Sequence, residues 1–233
     1  MVMNMNAQAI FDRIQNALSL AKRTDKVAFV AVSKTRTVEE MKTAEKFSCI
    51  EFFGENRVQE AESKRKDYGT SRIPWRLIGH LQANKARKAV ELFDAIDSLD
   101  SVDLAQRVDR IAGELGKVMP VLIEVNTSGE ASKSGIDPQN FTALVDSVMG
   151  LKNLRLEGLM TVGPLTDDEA RIRRSFAQLR GLIDDARTRT GSALPILSMG
   201  MSDDFELAIL EGSTMVRIGT LLFGPRHYPA QNS

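Results

Sequence analysis

Eight short apolar runs, rich in β-branched residues, recur along the chain and alternate with stretches of helical periodicity. The runs are VAFVAV from Val27, IEFFG from Ile50, WRLIG from Trp75, DAIDSL from Asp94, PVLIEVN from Pro120, LEGLMTV from Leu156, PILSMG from Pro195 and MVRIG from Met215. Continuous apolar runs are typical of strands that are covered on both faces. Strands that alternate with helices pair in parallel, and eight such units favour a closed (β/α)8 TIM barrel over an open doubly wound sheet. The sequence therefore predicts the α/β class, with residues 1–233 forming one domain.

The segments between the runs carry apolar residues at helical spacing. An opening helix is predicted around Ile10, Ile14 and Leu18. Later helices are predicted by three sets of apolar positions: Leu104, Val108, Ile111 and Leu115; Phe141, Leu144, Val145 and Val148; Ile172, Phe176, Leu179 and Ile183. Each set lies on one helix face, as a helix packed on a barrel requires.

Charge balance and cysteine content restrict the compartment and the partners. The chain has 31 Lys+Arg and 31 Asp+Glu, a formal net charge of zero that argues against nucleic acid as a partner. No apolar run approaches the roughly 20 residues of a membrane span, and the start lacks the basic segment and apolar core of a secretory signal. The single cysteine, Cys49, cannot form an internal disulfide and is expected to pack as a small hydrophobic residue. We therefore expect a cytoplasmic protein with no membrane partner.

Polar residues follow most of the apolar runs. In a barrel these positions meet at the carboxyl ends of the strands, where ligands bind. The residues found there are Ser33-Lys34-Thr35, Gly54-Glu55-Asn56, Gly79-His80, Asn126, Met160-Thr161, Ser198-Met199-Gly200 and Gly219-Thr220.

Lys34 is the sharpest single feature among them. An amine at the end of a buried strand is partly desolvated, which lowers its pKa and favours the neutral nucleophile that forms Schiff bases. The alternative is an ordinary rim lysine whose amine reaches into solvent.

Arg217 lies within the last apolar run, where a buried guanidinium requires a partner. That partner is either a ligand or a carboxylate such as Glu124 or Asp97.

The loops after the seventh and eighth runs are suited to phosphate. Gly200 and Ser202 precede an acidic helical turn, and Gly219-Thr220 follows the last strand, which is where barrels bind phosphate. Asp203-Asp204 is expected to cap the next helix. A reactive lysine, a phosphate cradle and a planar cation at one mouth together suit pyridoxal 5′-phosphate (PLP).

These residues fall within longer motifs: AVSKT, FFGENRVQE, WRLIGHLQANK, NTSGEASKSG, GLMTV, SMGMSDDFELAI and STMVRIGTLLFG. Over nearly the whole chain the motifs closely resemble the YggS/PROSC family of pyridoxal phosphate homeostasis proteins. The resemblance implies a barrel like the N-terminal domain of alanine racemase, with PLP held as an internal aldimine on Lys34. It further implies that the phosphate is contacted by Ser198, Ser202, Gly219 and Thr220. It places Arg217 at the ring nitrogen and Asn56 beside the ring, with His80 and Met199 as candidates for the pocket lining.

The function that the resemblance implies is PLP homeostasis, in which the protein buffers or carries the cofactor and so affects its supply and, indirectly, amino-acid pools. Apo PLP-dependent enzymes are candidate partners. No catalytic residue is assigned, and we expect a monomer, with a weak dimer as the alternative. An amino-acid racemase is the competing hypothesis, but it needs a tyrosine as second acid/base, and neither Tyr68 nor Tyr228 is a convincing candidate. From the residues alone, a lysine-dependent aldolase that acts on a sugar phosphate is a third possibility.

Two basic stretches and two histidines complete the survey. The first stretch comprises Lys64, Arg65, Lys66, Arg72 and Arg76, and the second comprises Lys85, Arg87 and Lys88. Both are expected to be solvated faces, and a docking surface for enzymes that receive the cofactor is the weaker alternative. His80 and His227 have no cysteine or carboxylate cluster at ligand spacing, so no metal site is predicted.

Overall fold

The computed structural model describes residues 2–130 and 132–225. This part of the chain forms a closed barrel of eight parallel strands in sequence order. The strands are β1 (Ala28–Val32), β2 (Phe52–Glu55), β3 (Trp75–Leu77), β4 (Ala95–Leu99), β5 (Met119–Glu124), β6 (Leu154–Met160), β7 (Ile196–Ser198) and β8 (Met215–Ile218). Each strand overlaps one of the eight apolar runs, so the predicted α/β barrel is confirmed.

A helix follows each strand, and one helix precedes the first. The helices are α1 (Val2–Leu20), α2 (Val38–Ala44), α3 (Val58–Tyr68), α4 (Ala86–Leu92), α5 (Val102–Glu114), α6 (Phe141–Met149), α7 (Glu169–Thr190), α8 (Phe205–Leu210) and α9 (Thr220–Phe223). Short 3-10 turns at Ala83–Lys85 and Pro138–Asn140 lead into α4 and α6. Within the described ranges, none of these helices has the length and apolar character needed to cross a bilayer.

The side chains of β1 alternate between the two faces of the barrel wall. Phe29 and Ala31 belong to the hydrophobic layer between the strands and the helices, whereas Val30 and Val32 are buried outside that layer. Because successive strand side chains point to opposite faces, the two valines point into the barrel. A Cβ on Gly54 of β2 would lie 2.9 Å from Val30 Cγ1, so this glycine makes room for the valine. Lys34 follows two residues after Val32, in the turn beyond the end of β1.

The barrel interior also contains a buried ion pair. Arg76 on β3 donates to both carboxylate oxygens of Asp97 on β4, at 2.8 to 3.0 Å, and both side chains are at least 95% buried. The expectation that Arg76 belongs to a solvated basic face is therefore wrong. Lys64 of α3 is buried as well. The reason is the same in both cases, because strand and helix periodicity, not proximity in sequence, decides which charges share a surface.

Candidate functional site

The segment after β1 is held against the segment after β8. Arg36 is buried, and its guanidinium donates to the carbonyl oxygens of Phe223 at 3.3 Å and Pro225 at 3.1 Å, and to that of Gly224. β1 and β8 are paired in parallel, which already makes the ends of the two strands neighbours. Lys34, which is partly buried, therefore lies beside the loop that follows the last strand.

Arg217 is buried inside the barrel with hydrogen bonds to neutral groups. Its side chain is 3% exposed, its Nη1 donates to Ser198 Oγ on β7 at 2.7 Å, and its Nη2 donates to the Thr161 carbonyl after β6 at 2.8 Å. Among the described residues no carboxylate oxygen lies within 4.0 Å of the guanidinium, and Asp97 pairs with Arg76 instead. The structure therefore does not contain the direct ion pair that the sequence left open as the alternative.

Buried carboxylates nevertheless influence Arg217 from a distance. Burial lowers the pKa of the Arg217 guanidinium, and the negative charges of Asp97, Glu124 and Asp204 act against that shift. Glu124, at the end of β5, is 4% exposed, and within the described ranges its Oε2 has no hydrogen-bond partner. Burial raises the pKa of the Glu124 carboxyl to about 7, with the charge of Arg217 opposing the shift. The sequence offered Glu124 only as a partner for the arginine.

The loops after β7 and β8 meet at the start of α9. Gly219 is the N-cap residue of α9, and the Leu221 N–H approaches Ser202 Oγ at 3.5 Å. Gly200 has φ +96, and a Cβ there would lie 2.6 Å from Ala208 Cβ, so only glycine suits this position. Ser202 is partly buried and Thr220 is exposed, as expected for groups at the rim of a phosphate site.

Two residues of the SMGMSDD motif face other parts of the molecule. Met199 is fully buried in the hydrophobic layer between the barrel and the helices, and its place in a pocket lining stays a prediction. Asp204 is the N-cap residue of α8, yet its side chain makes no capping hydrogen bond. It accepts a hydrogen bond from the Met201 N–H at 2.6 Å instead, so this carboxylate stabilises the loop before the helix and not the first turn of the helix. The expectation that it caps the helix is to that extent wrong.

The mouth is the end of the barrel at which the carboxyl ends of the strands meet. Asn56 and His80 line one cavity beside this mouth, with a volume of about 650 Å³. Asn56 Oδ1 is buried and has no hydrogen-bond partner among the described residues. Gly79 permits the close approach of the two strand ends, because a Cβ there would lie 2.3 Å from the Asn56 carbonyl oxygen. The His80 side chain is 52% exposed, and its Nδ1 lies 3.1 Å from Asp100 Oδ2.

Tyr68, the one tyrosine within the described residues, does not add an acid/base group to this mouth. Tyr68 is buried at the end of α3, edge-on to Phe53 at 6.1 Å and to Trp75 at 5.5 Å between ring centroids, and burial raises the pKa of its hydroxyl. Tyr228 and His227 lie outside the described residues. Over the part of the chain that is described, no three His, Cys, Asp or Glu side chains form a group that could hold a metal.

A buried charge cluster next to the mouth was missed in the sequence. Glu55 ends β2 and contacts Lys64 of α3, with Lys64 Nζ 2.7 Å from Glu55 Oε1. The signal was present: Lys64 occupies the same helix face as Val58, Ala61 and Tyr68, which are all buried. A charged residue in such an apolar stripe needs a buried partner.

The fold and the mouth together define a class of protein. Residues 5–227 match the family described as alanine racemase, N-terminal domain. The curated relatives narrow this further: the chain is 41% identical to the pyridoxal phosphate homeostasis protein of Aquifex aeolicus over 94% of this chain and 96% of that protein. It is also 41% identical to the protein of the same name from Pseudomonas aeruginosa, covering 98% and 97%. The chain belongs to the family of pyridoxal phosphate homeostasis proteins.

Solved structures agree with this assignment. An unknown protein from Bifidobacterium adolescentis is similar with a TM-score of 0.89 and 37% identity, covering 95% of this chain and 94% of that one. PipY of Synechococcus elongatus with PLP bound is similar with a TM-score of 0.80 and 39% identity, covering 91% and 100%. Alanine racemase of Clostridium difficile, at 21% identity and a TM-score of 0.74, shares the fold over 97% of this chain but only 58% of its own.

Proposed function

We propose that the protein binds PLP and buffers or carries it, holding the cofactor covalently on Lys34. The observation that carries this proposal is that three groups belong to the neighbouring strands β1, β8 and β7: Lys34 just beyond β1, the buried guanidinium of Arg217 within β8, and the hydroxyl-bearing segment at the end of β7. The names of the curated relatives and the PLP-bound state of PipY support the same ligand.

The donor set fits the three polar parts of PLP. When bound, the cofactor supplies an aldehyde that reacts with amines and a ring that withdraws electrons. Lys34 is the amine for the aldehyde, and the hydroxyls of Ser198 and Ser202, with the backbone N–H groups around Gly219-Thr220, suit the phosphate. Asn56 Oδ1 is buried and has no hydrogen-bond partner among the described residues, which supports a polar contact from Asn56 beside the ring.

Arg217 favours storage of the cofactor over catalysis with it. A guanidinium has only donors and remains protonated, so a ring nitrogen that faces Arg217 stays unprotonated. Two of the five N–H groups of the guanidinium are used by Ser198 Oγ and the Thr161 carbonyl, which leaves donors for a ligand. An unprotonated ring withdraws electrons weakly, which disfavours aminotransferase chemistry. Alanine racemase shares this arginine but also needs a second acid/base, and because this chain has no convincing candidate for that group we propose that the protein is not an enzyme.

A racemase is the second candidate, because the structure shares its barrel with alanine racemase. The test is exchange of the α-proton of L- and D-amino acids in deuterated water by the PLP-loaded protein. No exchange above the rate of free PLP is expected, and stereospecific exchange would make the protein an enzyme.

The experiment for PLP attachment compares the wild type with Lys34→Ala. The purified wild-type protein should absorb in the visible range, and borohydride reduction should fix the cofactor on a peptide that contains Lys34. Lys34→Ala should show neither signal. Lys26→Ala is the matched control, since Lys26 precedes the same strand at the opposite end and pairs with Glu51 at 2.7 Å. A Lys34→Ala protein that still attached PLP covalently would refute the proposal.

We further propose that residues 1–233 work as one domain, as a monomer in the cytoplasm, and that PLP passes from this protein to apo PLP-dependent enzymes. The single cysteine supports a reducing compartment. Sedimentation of the loaded protein and stopped-flow transfer to an apo-aminotransferase test these points. A transfer rate equal to the rate of PLP release into buffer would refute direct passage.

A further inference from the structure

A cluster of three charged side chains lies beneath the end of β1, on the helix side of the barrel wall. Lys64 of α3 is at its centre, 9% exposed, with its Nζ 2.7 Å from Glu55 Oε1 and 2.7 Å from Glu60 Oε1. Glu55 is fully buried and Glu60 is 26% exposed. We call Glu55, Lys64 and Glu60 the α3 clamp.

The α3 clamp holds the backbone on both sides of Lys34. Lys64 Nζ donates to the Ser33 carbonyl at 2.6 Å, and Ser33 Oγ donates to Glu55 Oε1 at 2.7 Å. On the other side, the Thr35 N–H donates to Glu60 Oε1 at 2.5 Å. Both residues that flank the lysine are thus bonded to one group of charges.

The conformation held in this way is an uncommon one. Thr35 has φ +63, in the left-handed region that a β-branched residue rarely adopts and that strains the backbone. A strained residue persists only where surrounding bonds determine its geometry. The hydrogen bond from the Thr35 N–H to Glu60 is one such bond, directly beside Lys34.

Fold stability alone is a weak reason for this cluster. Desolvation of buried ions offsets much of their attraction, and an apolar cluster of the same volume often stabilises as well or better. The cost is visible at Glu55, whose Oε2 has no hydrogen-bond partner in the described ranges and whose carboxyl pKa is raised by burial. The clamp also lies on the opposite side of the wall from the barrel interior, because Glu55 shares its strand face with Phe53 of the hydrophobic layer. It is therefore not a contact for the ligand.

We infer that the α3 clamp is a positioning device, which fixes the Ser33–Thr35 backbone so that the amine of Lys34 is directed into the barrel mouth. The inference rests on the proposed attachment of PLP to Lys34. It assigns to Lys64, Glu55 and Glu60 a role through the lysine, with no contact to the cofactor.

Glu60→Ala is the variant that tests the clamp with least risk to the fold, because Glu60 is its most exposed member. The change removes one acceptor from Thr35 and one carboxylate from Lys64, while the Glu55–Lys64 pair remains. We expect covalent attachment of PLP to weaken by about tenfold, the effect of one hydrogen bond to a charged group. Glu60→Gln keeps an oxygen that can accept from Thr35 and should recover part of the loss.

Glu62→Ala is the matched control on the same helix. Glu62 pairs with Lys88 of α4 at 3.3 Å and is not a member of the α3 clamp. This variant should attach PLP as the wild type does.

Two further measurements separate positioning from a general loss of structure. Pyridoxine 5′-phosphate has an alcohol in place of the aldehyde, so its binding reports the phosphate and ring contacts without Lys34. Its affinity should be the same in Glu60→Ala and in the wild type. Amide hydrogen exchange should show protection of the Thr35 N–H in the wild type and at least tenfold faster exchange in Glu60→Ala.

The outcomes are distinct. A Glu60→Ala protein that attaches PLP as tightly as the wild type, or one that loses pyridoxine 5′-phosphate equally, would overturn the inference. A wild-type protein that attaches no PLP would overturn the proposed function, and the clamp would then have no lysine to position.

Discussion

Replacing Glu124 by glutamine probes the electrostatics of the barrel interior. Burial raises the pKa of the Glu124 carboxyl from 4.5 to about 7. The folded protein therefore binds this proton more tightly than the unfolded chain does, and Glu124 disfavours folding increasingly as the pH rises from 4.5 to above 7. At 1.36 kcal/mol per pKa unit, the free energy of unfolding that is lost amounts to about 3 kcal/mol.

The assay is urea unfolding of the PLP-free protein between about pH 4 and about pH 8. Glutamine has the shape of the protonated acid and does not ionise. The unfolding free energy of Glu124→Gln, minus that of the wild type, should therefore increase by about 3 kcal/mol across this range. Any constant offset reports how the amide packs, whereas the slope reports the carboxyl proton.

Glu39→Gln is a control for which the pH dependence of the stability difference should have the opposite sign. Glu39 is exposed on α2, and a hydrogen bond from its own backbone N–H lowers the pKa of its carboxyl. Its stabilising contribution is present at neutral pH and is lost as the pH falls. If the difference in unfolding free energy between Glu124→Gln and the wild type does not change with pH, the argument that burial favours the protonated form of the Glu124 carboxyl is refuted.

Two further predictions concern the barrel interior and the phosphate loop. Arg76→Met leaves Asp97 buried without its partner and should lower the free energy of unfolding by about 3–5 kcal/mol. The double variant Arg76→Met/Asp97→Leu should recover most of that loss, and equal stability of the single and double variants in urea would contradict the prediction. Gly200→Ala places a methyl group against Ala208 at φ +96 and should cost at least about 1–3 kcal/mol in thermal unfolding and weaken pyridoxine 5′-phosphate binding. Gly181→Ala, on the open face of α7, should change neither property adversely, and equal effects of the two alanines would refute the role of Gly200.

The strands were predictable because their residues carry the pattern themselves. All eight apolar runs became strands, since a strand covered by helices outside and side chains inside must be apolar along its length. The charges within that pattern were harder. Arg76 lies between Trp75 and Leu77, both in the hydrophobic layer, so strand alternation alone would have turned it inward. Counting it with its basic neighbours in sequence obscured that signal.

The candidate site was predictable in its residue types and less so in its contacts. Lys34 follows from its position just beyond β1 and Arg217 from its position within β8, whereas the partners of Arg217 do not follow from any such position. One is a backbone carbonyl, that of Thr161, which no side-chain pattern reveals. The sequence could not decide between Asp97 and Glu124 as a partner for Arg217, because that depends on which strands face each other across the barrel. Strand tilt and register set this arrangement. A sequence contains the residues of such a network without the distances between them.

The bonding of Arg217 bears on what kind of ligand the mouth favours. Its two hydrogen-bond acceptors, Ser198 Oγ and the Thr161 carbonyl, are neutral, and Glu124 near it is only partly ionised around pH 7. Of the other carboxylates that act on Arg217, Asp97 is paired with Arg76, and burial raises the pKa of Asp204. The guanidinium charge is therefore incompletely balanced among the described residues. An anion that enters the mouth gains from that charge, and the gain is large because the surroundings are poorly solvated. A phosphate-bearing ligand is thus favoured over the neutral vitamin for a reason additional to the loops of β7 and β8. Pyridoxine 5′-phosphate should accordingly bind far more tightly than pyridoxine, and Arg217→Gln should narrow the ratio of the two affinities.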